Sequence, residues 1–316
     1  SLKGSLPVPE LQLLQVMRER IRDALGSVMQ EVIIYPLVSY ELLSSVSDPV
    51  LLEKGPPMRM LNPMNKEQEI LRSNLRVSVI TSLRSNMKHS RQINIFEIGR
   101  IFLSRDDDLP EEREMVCGVV SGFQLDRWGK ATTNPVDFYD AKSYVDLLLN
   151  SLGLIGKYQS SEETGFLPGR TATISVLGKE VGVIGQLHPD ATAKFGIEQD
   201  TLLFELDLEN LLPRKKSFQR YQAVPKFPSV EQDIAIIADE TVLVDQVVEV
   251  IEKSKLVTGV HLFDIYRGAP IPNGSRSLAF AISYQSYDHT LTDVEVGKAQ
   301  EKIIAELKRK LGVDLR

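Results

Sequence analysis

The sequence predicts an α+β protein in two parts: an antiparallel sheet with flanking helices over residues 1–212, then, past a linker at 213–224, a βαββαβ domain over 225–316. Three observations carry this. Up to about residue 210, several strand-patterned segments alternate with few helical ones. The stretch LLPRKKSFQRYQAVPKFP then joins two prolines to the basic cluster Arg214, Lys215 and Lys216, the composition of a domain seam or solvated linker. Beyond it the strand and helix patterns alternate cleanly. A length of 316 residues accommodates two domains with separate cores.

In chain order, Leu14, Met17, Ile21 and Leu25 recur at helical spacing between Pro9 and Gly26, which predicts an amphipathic helix over about residues 10–25. The segment RQINIFEIGRIFL reads as strand, and the turn-rich SRDDDLPEER follows it. MVCGVVSG, TATISVLG, EVGVIGQL and TLLFELDL are further strands. DAKSYVDLLLNSL is a helix with Tyr144, Leu147, Leu148 and Leu152 on one side. After the seam come strand VEQDIAIIA, helix VLVDQVVEVIEKSK, strand VTGVHLFDIYRG, loop APIPNGS, strand RSLAFAISYQS, a helix over about 293–311 and the short strand VDLR. This order is the ferredoxin-like arrangement. Its last helix carries full punctuation: Thr292 and Glu295 form a capping box, Val296, Ala299, Ile303, Leu307 and Leu311 an apolar face, Lys308, Arg309 and Lys310 a basic last turn, and Gly312 the stop.

The apolar fraction of 42% and charged fraction of 25% are ordinary for a globular, cytoplasmic protein. No apolar run is long enough to cross a bilayer, and SLKGSLPVPE lacks the basic-then-apolar order of a secretory signal. The lone Cys117, inside MVCGVV, reads as a buried small hydrophobe rather than a reactive thiol. A net charge of −6 opposes a protein that coats nucleic acid. From Arg220 onward there are 12 Lys and Arg against 14 Asp and Glu, a net of −2, so any RNA contact must be local.

Signs of an autonomous reaction are missing. His89, His188, His261 and His289 are dispersed, with no second histidine or cysteine at ligand spacing. No phosphate-cradling loop of either usual pattern occurs, nor a G-x-S-x-G elbow. The acidic run Asp106, Asp107, Asp108 before a proline reads as a solvated loop, with cation binding as the lesser alternative.

Two ordered sets of phrases carry a resemblance. NPMNKEQEILRSNL, NIFEIGRIF, VDFYDAKSYVDLLLNSLGL, LPGRTATISVLGKEVGVIGQLHP and LLFELDLENLL resemble the class II synthetase-like module of the bacterial phenylalanyl-tRNA synthetase β subunit. FPSVEQDIAIIADETV, LFDIYRGAPIPNGSRSLAFAISY, HTLTDVEV and GVDLR are similar to the ferredoxin-fold anticodon-binding domain that closes that subunit. The resemblance covers about residues 8–316 and implies a C-terminal fragment. It implies a synthetase fold without catalysis. A working class II site holds ATP with an arginine on its motif 2 strand and another ending a glycine-rich motif 3. Leu103 stands where the first would be, and no G-x-G-x-x-x-R occurs. Two missing charge-assisted contacts cost about 3–6 kcal/mol, or on the order of 10²–10⁴ in rate.

The resemblance also implies partners. The first module packs on the catalytic α subunit of an α2β2 assembly, through the first helix (Leu14, Met17, Ile21) and the segment around Asn62, Pro63, Glu67 and Arg72. Plain core packing is the other reading of that helix. The fragment holds no cofactor or metal of its own, and ATP and Mg2+ serve the complete enzyme. The last domain binds the anticodon stem-loop of tRNA(Phe), with Lys226, Phe227, Tyr266, Arg267, Asn273, Ser275 and Arg276 as candidates; neither DNA nor membrane is a partner. Along Arg276–Tyr284, Phe280 reads either as a base-stacking aromatic or as core. Relatives read F-P-x-V-x-R-D in the first strand of this domain. Gln232 replaces that arginine here, which weakens any contact there and its salt sensitivity. A free-standing ligand-binding regulator with a ferredoxin-like fold is the alternative from another class, and an autonomous adenylate-forming enzyme is a third.

Overall fold

The computed structural model describes residues 9–90, 92–105, 109–126, 128–212 and 225–316. It divides into two compact units, residues 1–217 and 218–316. The expected linker at 213–224, with Arg214, Lys215 and Lys216, and the acidic run Asp106–Asp108 lie outside the described residues.

In the first unit, α1 (Pro9–Gly26) leads to the short strands β1 (Gln30–Glu31) and β2 (Leu37–Val38), helices α2 (Tyr40–Ser45) and α3 (Pro49–Lys54), strand β3 (Ile70–Leu71) and helix α4 (Arg76–Asn86). Long strands β4 (Ile93–Leu103) and β5 (Glu111–Ser121) follow. A hairpin of β6 (Phe123–Leu125) and β7 (Ala131–Pro135) precedes α5 (Phe138–Ser151). The rest is β8 (Gly156–Ser160), β9 (Phe166–Val176), β10 (Lys179–Leu187), α6 (Pro189–Lys194), β11 (Thr201–Asp207) and α7 (Leu208–Leu211). Seven strands form one sheet in the order β1-β4-β5-β11-β10-β9-β8. It is antiparallel except at one edge, where β1 runs parallel to β4, so the sheet is mixed rather than purely antiparallel. A two-residue strand carries too little alternation to show its direction in sequence.

Side-chain alternation gives this sheet two buried faces. Phe96, Val116, Phe204 and Ile184 meet α1 and α5 on one face, while Ile95, Val119, Leu203 and Val183 meet α4 on the other. Gly118 pairs with both Phe96 and Phe204. A Cβ there would lie 2.3 Å from Phe204 Cζ, so only glycine leaves room for the aromatic pair. Asp137 starts α5 with a capping box, its carboxylate accepting from Tyr139 N and Asp140 N while Asp140 accepts from Asp137 N at 2.7 Å.

The second unit contains β12 (Val230–Asp239), α8 (Val244–Ile251), β13 (Val257–Tyr266), β14 (Ser275–Tyr284), α9 (Asp293–Leu311) and β15 (Asp314–Leu315). Its sheet order, β13-β14-β12-β15, is the ferredoxin-like one, with the first and third strands central. Ile234, Ile236, Leu278, Phe280, Ile282 and Tyr284 face the helices and are buried. The two readings of Phe280 are thereby resolved in favour of core.

At the start of α9, Thr292 N and Oγ1 donate to Glu295 Oε2 at 2.9 and 2.8 Å, and Glu295 N donates back to Thr292 Oγ1. Thr292→Ala should destabilise the second unit by about 1 kcal/mol in urea unfolding. An unchanged midpoint would show that water replaces the cap. The Thr292 backbone N–H and hydroxyl, then His289, hold the Glu295 carboxyl down to about 2, from 4.5. A folded value below the unfolded one means this contribution is complete above pH 4.5 and disappears as the pH falls towards about 2.

Candidate subunit and nucleic-acid interfaces

Strand register lines up three buried residues on one face of the first sheet. Glu97 pairs with Cys117, and Cys117 with Glu205. Arg72, following β3, and Arg76, opening α4, meet the two carboxylates. Arg72 Nη1 lies 2.9 Å from Glu97 Oε1 and Arg72 Nε donates to the Arg100 carbonyl. Arg76 Nε donates to Glu205 Oε2 at 2.8 Å and Nη1 to the Val46 carbonyl at 3.0 Å. Glu163 pairs with Arg76 as well, at 2.9 Å, and the guanidinium lies 5.2 Å from the Phe166 ring centre. Burial pushes the Cys117 thiol well above its usual range, which leaves it protonated and inert. Burial also raises Glu97, against the pull of Arg72. Both arginines are thus fully committed to internal carboxylates, and the row holds α4 to the sheet. Leu103, at the position the resemblance marks for an arginine, packs against the same core. Among the described residues no group of three His, Cys, Asp or Glu is arranged to hold a metal.

The residues expected at a subunit interface separate into two groups. Asn62, Pro63 and Glu67 are exposed and Leu14 is half-buried against the core. Met17, Ile21 and Arg72 are only 6%, 0% and 3% exposed, which corrects their placement on a docking surface. Met17 and Ile21 lie in the core that α1 shares with α5, and Arg72 is held by Glu97. Open apolar groups lie elsewhere: Ile33 and Leu61 are each 94% exposed, Met64 93% and Tyr35 78%, and Leu177, Leu109 and Ile155 are exposed singly in other parts of the unit. In sequence, the first four precede the strands of a small antiparallel ladder in which Leu37 and Val38 pair with Leu71 and Ile70, and Arg59 bridges to Ile70. One signal for them is visible in sequence: PMRMLNPM sets four large apolar residues in a proline-bounded stretch with neither helical nor strand period.

The structure also splits the nucleic-acid candidates, placing them at opposite ends of the second sheet, about 30 Å apart for strands of this length. Tyr266, Arg267, Asn273, Ser275 and Arg276 cluster where β13 ends and β14 begins. Lys226 and Phe227 lie at the other end, where Gln285 Nε2 donates to the Phe227 carbonyl at 2.7 Å. Most of the first group is already engaged. Tyr266 Oη donates to the Ala269 carbonyl, and Arg316 lies 5.3 Å from its ring centre. Arg267 pairs with Glu240 and Arg276 donates to the Val242 carbonyl. On the sheet face away from the helices, Glu231, Asp233 and Asp264 are exposed, and Ala279 and Ala281 provide a flat floor. Gln232 pairs with the buried Ile282, which puts it on the helix-facing side, its Oε1 buried without a partner.

Residues 2–208 match the model of a family described as the phenylalanyl tRNA synthetase beta chain CLM domain. Residues 225–316 match that of the ferredoxin-fold anticodon binding domain. A phenylalanine–tRNA ligase beta subunit from Dehalococcoides mccartyi is 34% identical over 320 residues, covering 100% of this chain and 39% of that protein. One from Geobacillus kaustophilus is 34% identical over 327 residues, covering 100% of this chain and 40% of the relative. The chain therefore spans about two fifths of the length of these relatives. Among solved structures, a pyrrolysyl tRNA synthetase from Desulfitobacterium hafniense is similar at a TM-score of 0.48 and 18% identity, over 63% of this chain and 65% of that one.

Proposed function

This chain belongs to the phenylalanyl-tRNA synthetase beta chain family, and on that premise we propose that it is the C-terminal, non-catalytic region of a phenylalanine–tRNA ligase β subunit. The observation that carries the reading is the tandem order of the two family matches, residues 2–208 and 225–316, each falling within one compact unit. In this reading the first unit supports the catalytic α subunit within an α2β2 enzyme in the cytoplasm. The second holds the anticodon region of tRNA(Phe). ATP and Mg2+ are used by the catalytic subunit, where phenylalanine is activated.

The chemistry of the first unit supports a scaffolding role. A class II site needs uncommitted arginines to neutralise a developing phosphate charge. Arg72 and Arg76 instead neutralise Glu97, Glu205 and Glu163. What this unit offers a partner is exposed apolar side chains in the segments that lead into the 37–38/70–71 ladder.

The test belongs in the reconstituted two-subunit enzyme, because a domain with 11 Lys and Arg against 14 Asp and Glu, a net charge of −3, holds an isolated stem-loop weakly. This chain alone should give no ATP–pyrophosphate exchange above a buffer control. In the assembled enzyme, Tyr266→Ala and Arg276→Ala should raise the KM for tRNA several-fold and leave phenylalanine activation unchanged, consistent with roughly 1–3 kcal/mol for a stacked base. Equal loss of both activities would instead make that surface structural.

A further inference from the structure

The two ends of the second unit differ in what their cations are already bonded to. At the end with Tyr266 and Ser275, Arg267 pairs with Glu240, Arg276 donates to the Val242 carbonyl and Arg316 donates to Ser277. At the opposite end, a groove of about 500 Å³ opens between the C-terminal end of α8 and α9. Its floor includes the buried Val250, Leu291, Ala299 and Ile303. Lys253, Lys298 and Lys302 line it, exposed and without an ion pair among the described residues. Of the two carboxylates lining it, Glu306 is paired with Arg309 and Lys310, while Glu295 keeps its charge and accepts hydrogen bonds from Thr292 and His289. Three lysines without an ion pair therefore outnumber the one unneutralised carboxylate, Glu295, in this groove, in a unit whose open sheet face carries Glu231, Asp233 and Asp264.

Gln285 ties the remaining candidates to this end. Its backbone N–H donates to Leu256, a residue of the groove, at 2.8 Å, and its side chain to Phe227 at 2.7 Å. Lys226 and Phe227 thus share an end of the sheet with the groove. Resting on the tRNA-binding reading above, we infer that the α8–α9 groove grips the phosphodiester backbone of the RNA through Lys253, Lys298 and Lys302. The acidic sheet face repels phosphate and is left to contact bases. Lysine serves this role as a point charge, so the contacts hold RNA without reading its sequence.

Fluorescence anisotropy of the reconstituted two-subunit enzyme with a labelled tRNA(Phe) transcript, titrated across salt, tests the inference. Each phosphate that is no longer neutralised flattens the slope of log affinity against log salt by roughly 0.7–0.9. K253Q/K298Q/K302Q should therefore reduce the slope by about 2–3 and weaken binding roughly tenfold at low salt. K253R/K298R/K302R should keep both. Glutamine is a good helix former at exposed positions, so the thermal melt should not move. Removing the same charge from the first unit, with K54Q/K88Q/K130Q, should leave the slope unchanged. An unaltered slope in the groove variant, while the unmodified enzyme binds, overturns the inference and spares the tRNA reading. A reconstituted enzyme whose tRNA affinity and salt slope survive removal of residues 225–316 overturns both. An acidic amphipathic peptide whose binding needs these lysines, with tRNA binding untouched by their removal, overturns it in favour of a protein partner.

Discussion

Replacing Arg76 with alanine is expected to cost the first unit about 3–5 kcal/mol, the range for breaking a buried ion pair from one side. Arg76 answers two carboxylates and one carbonyl at once, and Glu205, its strongest partner, also accepts from Leu75 N at 2.8 Å. Without the guanidinium, Glu205 becomes an uncompensated charge beside the buried Cys117. Burial opposes the charged form of Arg76, and the attraction and hydrogen bonds of Glu205 and Glu163 more than offset it. The urea midpoint of the first unit should fall accordingly. Arg76→Met combined with Glu205→Leu should recover much of the stability, since an apolar pair of similar volume replaces a buried ion pair at little cost. A destabilisation under about 1 kcal/mol for Arg76→Ala would mean that water enters the row and solvates Glu205.

These two arginines also mark where local sequence pattern stops being informative. Local signals are plain: Thr292, Glu295 and Gly312 bound α9, and the alternating residues of β12 and β14 show which side chains are buried. The ferredoxin-like order follows because each element carries its own period and its own punctuation. Helical spacing in α1 likewise shows that Met17 and Ile21 share a face, but periodicity does not show what covers that face. Here α5 and the sheet cover it. Arg72 looks like a surface residue in sequence because its partner, Glu97, lies 25 residues away and its burial depends on a sheet register that local pattern does not display. The very short strands β1, β2 and β3 are illegible for a related reason. Two residues hold too little alternation, and their pairing is set by long-range contacts such as Arg72 N to the Pro36 carbonyl. The functional candidates of the second unit look like one surface in sequence because they sit at strand ends and loops of a single domain. Only the strand directions of the folded sheet separate Phe227 from Tyr266.

The same distinction between covered and open apolar groups yields the sharpest functional expectation. Leu61→Glu combined with Met64→Glu should leave the urea midpoint of this chain within about 0.5 kcal/mol, because both side chains are almost fully exposed and support no core. In the presence of a phenylalanine–tRNA ligase α subunit, the same pair should weaken association by at least roughly 100-fold. Two carboxylates forced into a desolvated interface without partners cost several kcal/mol, and well-packed anchor residues dominate such interfaces. Met17→Ala should behave in the opposite way. It removes a buried side chain between α1 and the sheet, so it should cost about 2–5 kcal/mol of stability and affect association only in proportion to the unfolded fraction. Co-elution on size exclusion, read beside urea unfolding of each variant, separates the two effects. Wild-type association by the Leu61/Met64 variant would show that this segment takes no part in binding an α subunit.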